Sequence, residues 1–508
     1  MENQTKFIIQ MDADCGELAN IPEDKLIEWL FYCIDKKSIK TDTILWEGHP
    51  FIEQESPCNN TANYKKFRDK GINIMQEIID ECHKRGIKAY YHHRFSEVDK
   101  VSSPEAKKHG YKNDTSIGRN EIKQKHKDWL IKTWWQEGLW NLASSELQEF
   151  KLEYITKTMT EYSFDGICID FLRHLPCLPV GKQWEYRECA TEFMSKLKTD
   201  MNNLKRPVAV GAKLPENGEA CRADGFDVEK WVKIGAVDFV IGGSRTINPD
   251  IGWYKKITRD SNTSVYCCWD TWHVSDAYHH QTRDFYRGML SNWVDQGVDG
   301  IVAFNFSPAP VEELLKLLPP DEIKNCLGRD FSDFYNILNE ENQKEKALKY
   351  VAERRGGYPF LTGCGGNNVF APLPEPIPND ETPLDIKIDV CGQFGDRKAE
   401  ARFVITNAKS FCDKFKIFLN GVEIENFEED YYYMDRQIFW PEPQPITYSN
   451  ACYKSNPRPI LEIKADIDAG LLKNGENKLS IAVIDRRNYM LDSDSINVER
   501  AEILVNER

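Results

Sequence analysis

The chain has 508 residues, 41% of them hydrophobic and 29% charged, with a net charge of −15. That length exceeds a single compact core, so about two or three domains are expected. The acidic balance argues against a nucleic-acid partner, whose phosphates need a basic surface. No run of about 18 apolar residues is present to cross a membrane.

The 15 cysteines are odd in number and scattered, with no CxxC pair. They form neither a disulfide framework nor a zinc module. Cys33, Cys168 and Cys267 sit inside apolar runs, where a free thiol behaves as a small core residue. A reducing, cytoplasmic compartment is the simpler expectation. The start, MENQTKFIIQMDADC, does not read as a signal peptide because Asp12 and Asp14 break its apolar run. A periplasmic or secreted protein would need a leader removed upstream.

From residue 7 to about 328, short apolar runs alternate with amphipathic helical stretches. Phe7–Met11 is predicted as the first strand, ending in Asp12 and Asp14, and Glu23–Ile34 as a helix opened by Pro22. Thr43–Trp46 ends in Glu47 and His49. A helix over Tyr64–Lys84 stops at Gly86, and Ile87–Tyr91 is followed by His92, His93 and Arg94. An irregular insertion over about Val101–Leu142 carries Trp129, Trp134, Trp135 and Trp140. A helix then covers Ser144–Tyr162, with a capping serine at its start.

The segment FDGICIDFLRH holds the fourth strand, Ile167–Ile169, with Asp170, Arg173 and His174 where it runs out. After the helix Glu185–Asn203, Pro207–Gly211 ends in Lys213 and Glu216. After Asp227–Ile234, Val237–Ile241 leads to Gly242, Gly243, Ser244 and Arg245. After Ile251–Arg259, Val265–Cys268 leads to Trp269, Asp270, Trp272 and His273. After Tyr278–Gln296, Gly300–Phe304 leads to Asn305, and Pro310–Leu318 begins the closing helix.

Eight strands alternating with helices predict an α/β fold, a (β/α)8 TIM barrel over residues 1–328. Residues 329–380 change character, with a polar helix at about Asn339–Arg355 and then a Gly- and Pro-rich linker or strap, extended over Pro372–Pro378. From 381 to 508 the apolar period becomes two, as in LDIKIDV, ARFVIT and KLSIAVID, and Asn420-Gly421 marks a hairpin. That pattern predicts a C-terminal antiparallel β-sandwich acting as an ancillary domain.

In such a barrel the residues at the C-terminal strand ends face the reaction centre. Glycoside cleavage requires paired carboxylates there, one to protonate the leaving oxygen and one to attack or to activate water. Asp170 and Asp270 are the leading catalytic candidates, with Glu216 and Glu47 next. Substrate-binding candidates are Asp12, His49, His92, His93, Arg94, Arg173, His174, Lys213, Arg245, Trp269, Trp272, Trp135 and Asn305. No metal site is expected, since no H-x-H or HExxH spacing occurs, and no cofactor is expected. Arg94, Arg173, Lys213 and Arg245 at strand ends of an acidic chain extend the expectation to an anionic glycan, uronic-acid or sulfated. The alternative is that each cation pairs with a site carboxylate to keep it ionised.

Three segments carry a family likeness: LWNLASSELQEFKLEYI leading into FDGICIDFLRH, then GFDVEKWVKIGAVDFVIGG, with YYHHRFSEVD upstream. With these the chain resembles the glycosyl-hydrolase-like (β/α)8 barrels of polysaccharide-degrading bacteria over roughly residues 5–360. The resemblance implies a carbohydrate-active barrel with a trailing sandwich and a carbohydrate substrate. Asp165, Gly166, Asp170 and His174 are also similar in spacing to the fourth-strand segment of alpha-amylase-type enzymes, which implies a nucleophilic role for Asp170. Cys168 stands where those enzymes carry an arginine, and their aspartate-to-Asn-His segment is absent, so that mechanism does not transfer whole. Two other readings remain open: a metal-dependent hydrolase of deacetylase or amidohydrolase type, and a catalytically silent glycan-binding barrel.

Overall fold

The structure is a computed structural model. It describes residues 5–11, 21–47, 67, 69–96, 121–132, 138–244, 249–270, 283–304, 349–354, 373, 375–390, 394, 397–410, 412–431, 460–486 and 495–505.

Eight parallel strands close into a barrel: β1 Lys6–Met11, β2 Thr43–Glu47, β3 Lys88–Arg94, β4 Gly166–Asp170, β5 Ala209–Leu214, β6 Phe239–Gly242, β7 Ser264–Asp270 and β8 Gly300–Phe304. Each pairs with its sequence neighbours, and β1 pairs with β8 to close the ring. The helices between them include α1 Leu26–Leu30, α2 Tyr32–Lys37, α3 Ile74–Lys84, α4 Ser145–Glu161, α5 Arg187–Asn202, α6 Gly218–Ala223, α7 Val228–Lys233, α8 Ile251–Thr258 and α9 Arg283–Asp295. Ser144 caps α4 as expected, its hydroxyl accepting from the Leu147 N–H at 3.3 Å. The predicted first helix is broken at Phe31 into α1 and α2. Strands β3 and β5 run further than predicted, so His92, His93, Arg94 and Lys213 lie within strands rather than after them. The expected helix Pro310–Leu318 lies outside the described residues.

The lower half of the barrel is filled by aromatic rings opposite glycines. Tyr90, Phe239 and Tyr266 project inward, with the Phe239 ring centre 5.6 Å from each tyrosine. A Cβ on Gly166 would meet the Tyr90 ring at 2.9 Å, one on Gly300 the Tyr266 ring at 2.9 Å, and one on Gly211 the Phe239 ring at 2.2 Å. Three strands supply rings and three others supply room for them, which gives a packed core rather than a pore.

Four aspartates fix the strand starts. Asp42, Asp165, Asp238 and Asp299 immediately precede β2, β4, β6 and β8. Each carboxylate accepts a backbone N–H from the preceding strand: Phe7 at 3.0 Å, Ala89 at 2.9 Å, Val210 at 2.7 Å and Val265 at 2.8 Å. Each aspartate N–H also donates to the carbonyl of that same residue. The two bonds clamp one residue pair and so set the register of that strand pair.

The C-terminal region is the expected antiparallel sandwich. One sheet contains β11 Leu384–Val390, β13 Lys414–Leu419, β14 Val422–Ile424 and β17 Gly475–Asp485. The other contains β9 Lys349–Arg354, β10 Glu375–Pro376, β12 Lys398–Thr406, β15 Phe427–Asp430, β16 Ile460–Asp468 and β18 Asn497–Val505. Asn420 and Gly421 both take positive φ, at 51° and 87°, as an Asn-Gly hairpin requires. The predicted polar helix Asn339–Arg355 is corrected at its end: Lys349–Arg354 is a strand paired with β18. Its partner edge supplies the backbone hydrogen bonds that a polar helix would have had to make alone.

Replacing Gly211→Ala forces a methyl into the Phe239 ring and is expected to cost about 1–3 kcal/mol. Gly252→Ala, at an exposed position of helix α8 with Asp250 Oδ1 at 3.6 Å as its near neighbour, should leave stability unchanged or raise it. Thermal unfolding of the two variants checks the pair, and equal melting temperatures would refute the ring-and-glycine account.

Candidate active site

Alternation along the strands sorts neighbouring residues into two environments. Ile8, Leu45, Cys168, Phe239, Ile241, Tyr266, Cys268, Val302 and Phe304 form the lumen cluster, separate from the larger core between barrel and helices. Two residues further along the same strands, the lumen positions become Gln10, Glu47, Asp170 and, on β3 above Tyr90, His92 and Arg94. The apolar floor thus changes to a polar layer at the C-terminal end.

These polar side chains contact one another. Arg94 Nη2 lies 2.6 Å from Glu47 Oε2, and His92 Nε2 lies 3.3 Å from Asp170 Oδ2. Lys213 Nζ lies 3.8 Å from Asp170 Oδ2, donates to Gln10 Oε1 at 3.1 Å and sits 4.0 Å from the Phe304 ring centre. The Leu172 N–H donates to Asp170 Oδ1 at 2.9 Å, which locks the carboxylate plane. All five charged or ionisable groups are buried. Burial opposes ionisation of Asp170, but Lys213, His92 and Arg94 outweigh it and hold the carboxyl well below the usual carboxylate range. Burial also lowers the His92 pKa, against the pull of Asp170, with Lys213 and Arg94 adding to the lowering.

Two lumen groups keep hydrogen-bonding capacity in reserve. Among the described residues neither ring nitrogen of His92 has an aligned hydrogen-bond partner, the Asp170 contact being a close approach only. Gln10 Nε2 is likewise unpartnered there. Buried donors without partners are costly, and a hydroxylated ligand entering the lumen would satisfy them.

Other candidates lie elsewhere. His93 faces the helix layer, where its Nδ1 lies 3.1 Å from the Tyr91 hydroxyl, which donates to Tyr154 of α4 at 3.3 Å. Trp269 also belongs to the core between barrel and helices rather than to a sugar platform. Both follow from the two-residue period: their neighbours His92 and Cys268 point inward, so they point out. Glu216 is buried beyond β5, close enough to Cys221 and Tyr254 for its charge to raise both their pKa values. His174 is buried and Arg173 half-buried on the segment after β4. Asp270 ends β7 in register with Phe304, but its side chain lies outside the described residues. Asp12, His49, Trp135, Arg245, Trp272 and Asn305 lie outside them as well. Gln10 was missed by sequence reading, which looked for charge beyond β1 and not for an amide within it. Among the described residues no three His, Cys, Asp or Glu side chains are grouped to hold a metal ion.

The fold and this polar layer define a closed (β/α)8 barrel with a buried charge cluster at the C-terminal strand ends and a β-sandwich after it. No family model and no curated protein matches the chain. Among solved structures it is similar to a cycloisomaltooligosaccharide glucanotransferase from Paenibacillus sp., at 11% identity over 95% of this chain and 58% of that one, TM-score 0.36. It thus spans little more than half of that protein's length. It is also similar to an Anoxybacillus alpha-amylase, at 10% identity over 100% and 99% of the two chains, TM-score 0.36. A Cellulomonas fimi endo-beta-1,4-mannanase gives 12% identity over 78% and 84%, TM-score 0.35. At such scores no residue role passes from those proteins to this one.

The contribution of Asp170 to stability is present above the unfolded carboxylate value, about 3.9, and is lost as pH falls through that value toward the lower folded one. Lys213→Met leaves the buried carboxylate undercompensated, so it is expected to cost about 3–5 kcal/mol near pH 7. Its Asp170 pKa moves up, so the loss of stability on acidification should be smaller than in wild type. Urea unfolding near neutral pH and near pH 4 measures both effects. Undiminished stability at neutral pH would mean that Lys213 does not sustain that charge.

Proposed function

We propose that the chain is a glycoside hydrolase using a carboxylate pair at the barrel's C-terminal end on a poly- or oligosaccharide. The observation that carries the reading is Asp170, a buried carboxylate held ionised at the end of β4 beside unsatisfied polar groups of His92 and Gln10. An ionised carboxylate can attack an anomeric carbon or deprotonate water, but it cannot protonate a leaving oxygen. Asp170 therefore takes the nucleophile or base role. The acid falls to a second carboxylate, with Asp270 and Glu216 the candidates, since Glu47 is engaged by Arg94. Lys213 holds Asp170 in its charged form, while His92 and Gln10 offer hydrogen bonds to sugar hydroxyls.

The expectation of an anionic substrate draws no support from Arg94 and Lys213. Arg94 pairs with Glu47, and Lys213 serves Asp170 and Gln10. In the lumen those cations fit the role of keeping carboxylates charged.

Reducing-end release is measured for wild type and Asp170→Asn against neutral, uronic-acid-containing and sulfated polysaccharides. Wild type is expected to cleave one class, with Asp170→Asn slower by at least about a thousandfold, the scale for loss of a group that acts in the chemical step. Equal rates for the two proteins would remove Asp170 from the mechanism. Binding of glycans by both without cleavage would leave a glycan-binding barrel.

A further inference from the structure

A second cluster of charge lies outside the lumen, on segments that leave β4 and β5. Trp184 lies on the segment after Asp170, and Arg222 lies on α6, which follows Lys213 and Glu216. The guanidinium carbon of Arg222 sits 4.5 Å from the centre of a Trp184 ring, and that of Arg187 sits 4.8 Å from it. Arg187 Nη1 also donates to the Trp184 carbonyl at 2.9 Å, which fixes that guanidinium in place.

The platform is rigid at its base. Gly225, one turn past Arg222, has φ +82°, and a Cβ there would meet the Gln183 carbonyl at 2.4 Å and Leu178 Cδ1 at 2.6 Å. Only glycine allows the two segments to approach this closely. That approach sets the segment of Arg222 beside that of Trp184, which puts the guanidinium within reach of the ring.

The charges around it are unequal. Arg187 Nε has Glu188 and Asp227 each at 3.9 Å, and Glu188 is itself bound by Lys230 at 2.5 Å. Arg222 is exposed and, among the described residues, has no hydrogen-bond or ion-pair partner. Asp224, on the same turn, is pushed up to about 7 by burial, so it is only partly ionised near neutral pH. A guanidinium lying on an indole keeps its N–H edge free for bidentate contact with a carboxylate or sulfate. Two of them against one ring leave less bare ring for a neutral pyranose to stack on.

We infer that Trp184, Arg187 and Arg222 form a substrate subsite for an anionic sugar residue, uronate or sulfate ester, on the face of the barrel that carries Asp170. The inference rests on the glycan reading above for the identity of the polymer. It moves recognition of anionic groups from the lumen, where the cations are engaged by carboxylates, to the rim.

The full-length Asp170→Asn protein, alone and with Arg222→Ala or Arg222→Lys, is tested by affinity electrophoresis against dextran, dextran sulfate, polygalacturonate and polyglutamate. Binding to dextran sulfate or polygalacturonate is expected, weakened about tenfold or more by Arg222→Ala and less by Arg222→Lys. Dextran should bind weakly, and all variants alike. Equal binding of an anionic polysaccharide by Arg222→Ala and its parent, or no binding to either anionic polysaccharide, overturns the subsite. Tighter binding of polyglutamate than of either also overturns it, in favour of an acidic protein partner. Because Asp170→Asn is the parent throughout, failure of the hydrolase reading appears only in the cleavage assay, and failure of the subsite only here.

Discussion

A barrel of parallel strands is only as specific as its register, because a slip of one residue exchanges every lumen side chain for a helix-side one. The four aspartate clamps before β2, β4, β6 and β8 resist that slip at alternate strand pairs. Three of them are tied outward as well: Asp165 to His83 at 2.9 Å, Asp238 to Lys198 at 2.5 Å and Asp299 to Lys255 at 3.2 Å. With register fixed, Tyr90, Phe239 and Tyr266 find Gly166, Gly211 and Gly300 opposite them, and the lower barrel closes.

The same register sets the chemistry. Lys213 pairs across the ladder with Asp170, and Arg94 with Asp170 from the other side, so one carboxylate receives cations from both neighbouring strands. Burial alone would push that carboxyl up, and the flanking strands reverse the direction. Once the acid is buried and ionised, removing either cation leaves a charge undercompensated, so the cluster holds together only as a unit. An ionised carboxylate is what the role proposed for Asp170, nucleophile or base, requires.

Charge outside the lumen follows another logic. Arg187 and Arg222 both lie against Trp184 where Gly225 lets two segments touch, and the Arg187–Asp227 and Lys230–Glu188 contacts join the same two segments. Cations in the lumen are matched to acids of the chain itself, whereas Arg222 has no ion-pair partner among the described residues. An overall charge of −15 hides this difference, since it averages over both environments.

Much of this was legible in the chain. Alternating apolar runs and amphipathic helices define eight strands and the barrel, because burial on both faces of a parallel strand demands continuous apolar sequence. Asn420-Gly421 marks its hairpin because few residue pairs accept two positive φ values. The two-residue period also made it foreseeable that His92 and His93 would face opposite ways. The recurring aspartate before even strands stands openly in SFDG, AVDF and GVDG, yet its meaning requires knowing which N–H each carboxylate meets. What only the tertiary structure decided was partnership. Arg94 with Glu47, Lys213 with Asp170 and Arg222 with Trp184 join residues distant in sequence, as does the pairing of Lys349–Arg354 with β18. Sequence fixes the period of a single element through local backbone geometry, but ion pairs and strand edges depend on which elements lie side by side once the ring has closed.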